Sequence, residues 1–342
     1  MKKKIKVGMD ISQIAHKGGV ATYTQNLARE LSNIEDLEMV YFFSSLRKKA
    51  PLFIHGNVKN FRLPPTLFEM LFNRWRNISI EKFLGPLDIF HSSDWTEPPS
   101  SAKKITTYHD VVALKYPQWS HPKIVAVHKR RLYLVEKEID MIIAVSQSTK
   151  KDLMEISSIP EEKITVIYEG PTADFKPQSK EQVESFRKKY KLPDKFVLAI
   201  GGIGERRNLG RIKQAAKDYN LVITGQTIPW LELDELELLY NSASVLLYAS
   251  LYEGFGLPLL DAFLCGLPVI TSNVSSMPEV GGDAAEYVNP ESVIDIENKL
   301  KAVTSDEEKR KEMIKKGFEQ VKKFSWEKTA EETVRAYKEL MK

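Results

Sequence analysis

Short runs rich in β-branched and aromatic residues alternate with stretches of helical apolar spacing along this chain of 342 residues, and the alternation occurs twice. In the first half the runs are IKVGM, VYFF, IFH, KITTYH, MIIAV and ITVIY; in the second they are FVLAIGG, LVITG, VLLY, PVIT and EYV. A strand that leads through a helix to the next strand returns parallel to it by a right-handed crossover, so the pattern confines the chain to α/β parallel sheets. A chain of this length buries a large core and divides into roughly two domains. The pattern restarts at Phe196, after the polar stretch from Gly170 to Asp194, which reads as the linker region. The last helical pattern, from about Ser325, puts Trp326, Ala330, Val334, Tyr337 and Met341 on one stripe that must pack against something.

Composition narrows the setting. No run of about 18 apolar residues occurs, and MKKKIKVGMDIS passes from its lysines directly into a strand-like stretch, so neither a membrane-spanning helix nor secretion is indicated and a cytoplasmic location is expected. The single Cys265 has no partner for an internal disulfide and reads as a small buried hydrophobe. Charge is uneven: 25 Lys/Arg stand against 19 Asp/Glu up to Gly170, and 25 against 27 from Pro171 on. A mildly basic first half suits an anionic lipid or acceptor, although scattered lysines on a solvated surface look the same; no nucleic-acid partner is expected.

In open parallel sheets ligands collect at the carboxyl ends of the strands, so chemistry is sought in the loops that follow them. Four loops stand out. Gly18-Gly19, after the first strand, permits a tight turn into a helix whose amides suit an anion or a sugar, a signal that many ordinary turns share. In TTYHDVVAL, His109 and Asp110 end a strand-like run; His109 is able to donate to a hydroxyl or carbonyl there, or simply to bond backbone. In AIGGIGERRNLGRIKQA, glycines including Gly202 precede Arg206 and Arg207, the forked cations that suit a diphosphate. That turn lacks the Gly-x-Gly-x-x-Gly register of dinucleotide binders. In EGFGLPLLDAFLCGLPVI, Glu253 precedes Gly254, Phe255, Gly256 and Leu257 at a helix start, with Pro258 in the first turn and Asp261 about one turn in. His16, His55, His91, His121 and His128 show no ligand spacing and no Asp-x-Asp pair occurs, so no metal is expected.

These segments, with IIAVSQSTKKDL, ITVIYEGPTADFKP and FSWEKTAEETVRAY, resemble the family-four nucleotide-sugar glycosyltransferases of the GT-B fold, in the family's order and over nearly the whole chain. The resemblance implies two Rossmann-like parallel-sheet domains facing each other across a cleft. Residues 1–170, with a C-terminal helix 326–342 packed back on them, would form the acceptor-binding domain, and residues 171–325 the nucleotide-sugar-binding domain. It further implies that Glu253 binds donor sugar hydroxyls, that the amides around Gly256 and Leu257 hold the diphosphate, and that Asp261 accepts from the ribose. Arg206 and Arg207 neutralise the departing diphosphate, His109 lies beside the sugar, and Gly18-Gly19 give donor and acceptor access to backbone.

The implied activity is metal-independent retaining transfer of a hexose from GDP-mannose or a UDP-sugar to a glycan or lipid-linked acceptor, with no cofactor beyond the nucleotide-sugar substrate. The leaving phosphate itself takes the acceptor proton, so no carboxylate dyad is needed. Two departures accompany the likeness: Asp261 stands where the family has a second Glu, and Gly202 where it often has an Arg. A catalytically weak sugar-nucleotide-binding or assembly subunit of the same fold is the alternative.

For the acceptor, residues 64–85 carry Leu67, Leu71, Trp75 and Ile78 on one helical stripe, with Phe68 and Phe72 beside it and Arg74, Arg76 and Lys82 interspersed. The segment reads either as peripheral contact with the inner face of a membrane or as part of the first domain's core. The basic run His128 to Arg131 reads as a solvated helix face.

Overall fold

The computed structural model describes residues 4–50, 57–202 and 204–342; His55 and Ile203, which figure in the sequence reading, lie outside them. The chain forms two compact units, Met1–Glu169 with Trp326–Lys342, and Gly170–Ser325.

The first unit holds β1 (Ile5–Asp10), β2 (Leu37–Ser44), β3 (Asn57–Phe61), β4 (Ile89–Ser92), β5 (Lys103–Tyr108), β6 (Met141–Ala144) and β7 (Ile164–Val166). They lie in the order β3-β2-β1-β4-β5-β6-β7, every neighbour parallel. Six of these strands coincide with the sequence runs. β3 does not: NVKNF is polar and largely exposed, and it is held at the sheet edge by backbone pairing to β2, from Val40 opposite Asn57 to Ser44 opposite Phe61. Backbone pairing leaves no mark in side-chain periodicity.

The helix Trp326–Leu340 belongs to this unit, and Trp326, Ala330, Val334 and Tyr337 are buried as their stripe requires, while Met341 lies beyond the helix end and is exposed. Its docking is specific. Thr329 Oγ1 donates to the Tyr168 carbonyl at 2.7 Å, the Trp326 ring meets Tyr23 edge-on at 5.8 Å, and Tyr337 OH lies 2.7 Å from His91 Nδ1. His91 Nε2 is 2.9 Å from Thr107 Oγ1, and burial lowers the pKa of this imidazole to about 3, so it stays neutral.

The structure departs from the single-helix reading of residues 64–85 and from the solvated reading of His128 to Arg131. Residues 64–85 do not form one regular helix: Pro65–Glu69 is α-helical, Met70–Trp75 is a π-turn, and Arg76 follows at φ 54°. The wider turn shifts the phase of the stripe. Phe68 and Phe72 enter the core against Phe42 and Phe83, while Trp75, at the end of the wider turn, is 58% exposed. In the run His128 to Arg131, Arg131 is fully buried rather than solvated. It lies 4.1 Å over the Tyr108 ring, donates to Thr106 Oγ1 at 2.7 Å and pairs with Asp94 at 3.3 Å and Glu97 at 3.4 Å, because a guanidinium can be taken out of water when carboxylates offset its charge.

The second unit holds β8 (Val197–Ala199), β9 (Leu221–Ile223), β10 (Val245–Tyr248), β11 (Val269–Ser272) and β12 (Ala285–Val288) in the parallel order β12-β11-β10-β8-β9. The stretch read as a linker is structured and belongs to this unit. Ser179 and Gln182 form a capping box for the helix Lys180–Tyr190, which buries only Phe186 and so reads as polar in sequence. The chain leaves β8 for β9 on one side and reaches β10 on the other, which makes the β8/β10 boundary the switch point of this sheet. Crevices for ligands open at such points, outside the carboxyl ends of the strands. The corresponding boundary in the first unit is β1/β4.

Among the described residues no helix is long and apolar enough to cross a membrane.

Candidate active site

The loops leaving β8, β9 and β10 are stitched together. Gly201 donates its amide to Thr224 Oγ1 at 2.9 Å, and a Cβ at this position would fall 1.9 Å from the Thr224 carbonyl oxygen, so only glycine fits. Beyond it the turn Glu205–Arg207 ends at Asn208, held at φ 56°. Asn tolerates that left-handed conformation, and here its amide donates to the carbonyls of Ala249 and Pro290 at 2.9 and 2.6 Å. Leu251 N donates to the Arg206 carbonyl at 2.7 Å. The arginine loop is thereby fixed against the segment that carries Glu253.

Glu253 is the hub of what results. Its Oε2 accepts from Arg206 Nη1 at 3.1 Å, and its Oε1 accepts from Arg207 Nη1 at 2.5 Å and from Tyr248 OH at 2.9 Å; Arg207 also donates to Tyr248 OH. The carboxylate side chain is 7% exposed and the arginines are 27% and 17% exposed, so the cations form the accessible side of the cluster. Two forked guanidinium groups on the accessible side are the donors that suit an anion. The backbone of the same segment is clamped from β11: Glu253 N donates to Ser275 Oγ at 3.1 Å, and Ser276 Oγ donates toward the carbonyls of Glu253 and Phe255 at 3.0 and 2.7 Å. Gly202 borders the arginines, since a Cβ there would lie 3.1 Å from both Cγ and Nε of Arg207.

Gly254, Phe255, Gly256 and Leu257 follow on the same loop. Gly256, at φ 119°, is the N-cap of the helix Leu257–Leu264, and a Cβ there would come 2.6 Å from Met277 Cε. Asp261 is 2% exposed, and both its oxygens are engaged by Thr172: Oδ1 accepts from the amide at 2.8 Å, and Oδ2 lies 2.7 Å from Oγ1. The ribose contact expected of Asp261 would require these bonds to make way.

Burial raises the Asp261 pKa from 3.8 to about 7, against the opposing effect of the Thr172 bonds. A carboxyl raised in this way keeps its proton in the folded chain, so its contribution to stability is present below the unfolded value and is lost as pH rises toward the folded one. Asp261→Asn, which keeps one acceptor and one donor for Thr172, is expected to flatten the decline of the thermal midpoint between about pH 4 and about pH 7. Parallel pH curves for the variant and the parent chain would show that the carboxyl does not titrate in this window. Equal affinity of the two for a nucleoside diphosphate would remove Asp261 from the ribose.

In the first unit, Gly18 turns at φ 116° to cap the helix Gly19–Leu31. His109 follows β5; its Nδ1 lies 3.0 Å from Glu169 Oε1 and its ring meets Tyr23 edge-on at 4.6 Å. Burial by itself lowers the pKa of this imidazole, but the hydrogen bond and charge of Glu169, with the charges of Asp94 and Asp110, raise it overall.

A family model for glycosyl transferases group 1 matches residues 136–320, more than half of the chain. The chain belongs to that family. A second model, Glycosyltransferase Family 4, matches residues 17–174. The O-antigen chain mannosyltransferase B of Escherichia coli is 28% identical over 282 residues, which cover 73% of this chain and 74% of that one. Among solved structures, the sucrose-phosphate synthase of Thermosynechococcus elongatus superposes with a TM-score of 0.78 at 17% identity and covers 99% of both chains. Anabaena Alr3699/HepE in complex with UDP-glucose gives 0.73 at 14% identity, with 98% of this chain and 100% of that one covered. The two parallel sheets are those of a GT-B glycosyltransferase.

Within this glycosyltransferase the tertiary structure gathers Arg206, Arg207, Gly202 and Glu253 into one cluster, with Gly254, Phe255, Gly256 and Leu257 on the adjoining turn. Asp261 sits one helical turn on, facing Thr172. His109, Gly18 and Gly19 lie in the other unit. Sequence reading did not single out Tyr248, Glu169 and Thr172. The available signal was position: Tyr248 is the last residue of β10, and Glu169 and Thr172 follow closely on β7, where ligands and their supports collect.

Proposed function

We propose that this glycosyltransferase moves a hexose from a nucleotide-diphosphate sugar to a glycan or lipid-linked acceptor, with retention of anomeric configuration and without a metal ion. The observation that carries the reading is the Arg206–Arg207–Glu253 cluster at the β8/β10 switch point. Permanent cations held in place before the reaction suit the charge that develops on a departing diphosphate, the task a divalent ion performs elsewhere. Glu253 would receive sugar hydroxyls, the turn at Gly256 and Leu257 would receive the phosphates, and His109 would serve the transferred sugar. Likeness to an O-antigen mannosyltransferase favours GDP-mannose, and likeness to a structure holding UDP-glucose keeps UDP-sugars in the comparison. For an acceptor carried on lipid, the exposed Trp75 of residues 64–85 is the side chain through which the first unit would meet a membrane face.

The test is hydrolysis of a donor panel without acceptor, in EDTA. Slow release of free hexose from one nucleotide sugar, unchanged by the chelator, is the expected result. Strong rescue by one divalent ion would overturn metal independence. Tight nucleotide binding with no turnover on any donor, even with glycan acceptors added, would instead mark a binding or assembly subunit.

A further inference from the structure

Beyond the residues already placed at the donor, one buried acid acts on a proposed site residue without being part of the cluster. Glu169 is 4% exposed and lies three residues past β7, while His109 directly follows β5, two strands away in the same sheet. The fold brings them together at the carboxyl ends of their strands with Nδ1 of the imidazole 3.0 Å from Oε1 of the carboxylate. The histidine side chain keeps 11% exposure, and among the described residues no hydrogen bond to its Nε2 is found.

The ring is also fixed in plane. Tyr23 stands against it at an interplanar angle of 80° and is itself held, with its OH 3.1 Å from Thr107 Oγ1 and its ring against Trp326. Thr107 in turn meets His91, and His91 meets Tyr337 of the C-terminal helix. One nitrogen is thus anchored to a carboxylate, the ring packs against Tyr23, and the second nitrogen is left for a ligand.

We propose that Glu169 is a positioning residue for the transfer reaction: it holds the Nδ1 proton of His109, so that the imidazole gains and loses its other proton only at Nε2. The proposal rests on the placement of His109 at the transferred sugar. With the Nδ1 proton fixed, Nε2 donates a hydrogen bond in the cation and accepts one in the neutral ring, so a single titration switches what it offers a sugar hydroxyl or phosphate oxygen. Carboxylates that orient the far nitrogen of a working histidine perform this task in many unrelated sites.

The charged and titratable groups around the ring agree on the direction. Glu169 from the segment after β7, Asp94 from the loop after β4 and Asp110 from its own loop favour the cation. Asp94 is partly neutralised by Arg131, His91 on β4 is held neutral by burial, and Tyr23 meets the imidazole in a T-shaped contact. Burial opposes the cation, and Glu169, in direct hydrogen-bond contact, is the foremost of the groups that outweigh it.

The experiment uses the full chain with isotopically labelled histidine, the His109 signal being assigned by its loss in His109→Gln. Glu169→Gln keeps a carbonyl to accept from Nδ1–H but removes the negative charge. The expected result is that the Nδ1–H tautomer persists while the His109 titration moves to lower pH by about one unit or more, a tenfold change in proton affinity. The pH limb of donor turnover is expected to move with it, with the KM for donor little changed. Glu169→Ala should lose the tautomer preference as well. A His109 titration unmoved in Glu169→Gln overturns the proposal. A shifted titration with an unmoved pH profile of turnover overturns the placement of His109 at the sugar, and with it the part that Glu169 plays in the reaction.

Discussion

Turnover of the Arg207→Ala chain is expected to fall by about a hundredfold, and that of Arg206→Ala by a similar factor, as for other donors aimed at charge that develops in a transition state. The structure explains why the loss should be large and confined to chemistry. Glu253 and Tyr248 hold Arg207 in place before any ligand arrives, so the cation need not reorganise when charge builds on a diphosphate. Removing one guanidinium still leaves Glu253 with the other and with Tyr248, and the loops remain joined through Asn208 and through Leu251 N to the Arg206 carbonyl. The thermal midpoint should therefore move little. Steady-state kinetics on the preferred donor decides the matter, and parental turnover in the double alanine variant would take both arginines out of the mechanism.

Glu253→Gln is the second large effect, expected at about ten- to a hundredfold in turnover, because hydrogen bonds to a charged group are worth about 1.5–3 kcal/mol and a neutral amide recovers only part of that. The amide preserves shape but can no longer balance two guanidinium groups, and one of its two termini would place donors against donors. Glu253 and the arginines share one network, so their effects should not multiply: Glu253→Gln with Arg207→Ala should cost much less than the product of the two single losses. Fully multiplicative losses would mean that Glu253 acts on the sugar independently of the arginines. The same measurements separate two carboxylates that look alike in sequence, since Asp261→Asn is expected to act mainly on stability against pH while Glu253→Gln acts on turnover.

Much of this organisation is written in local patterns. Alternating apolar strands and helices specified two parallel sheets, because each strand buried on both faces must be apolar along its whole length. Only β3 escaped, since an exposed edge strand is held by its backbone partner. The glycine-rich turn with adjacent arginines and the Glu253–Asp261 segment were visible because close backbone approach and anion binding demand particular residue types at fixed spacing. The stripe from Trp326 to Tyr337 announced a docked helix for the same reason.

What the sequence by itself determined was therefore the strand and helix content, the two-part division and the residue types set at the strand ends. Only the tertiary structure decided which of them meet. The strand order places the β8 and β10 loops side by side, so that Arg206 and Arg207 close on Glu253 across more than forty residues of chain. It turns Asp261 to Thr172, brings Glu169 to His109 and sends Arg131 into the core over Tyr108. Periodicity records which face of an element is buried, but not which distant element covers it. Pairing between remote loops depends on strand order and crossover, and these are fixed only when the whole sheet has formed.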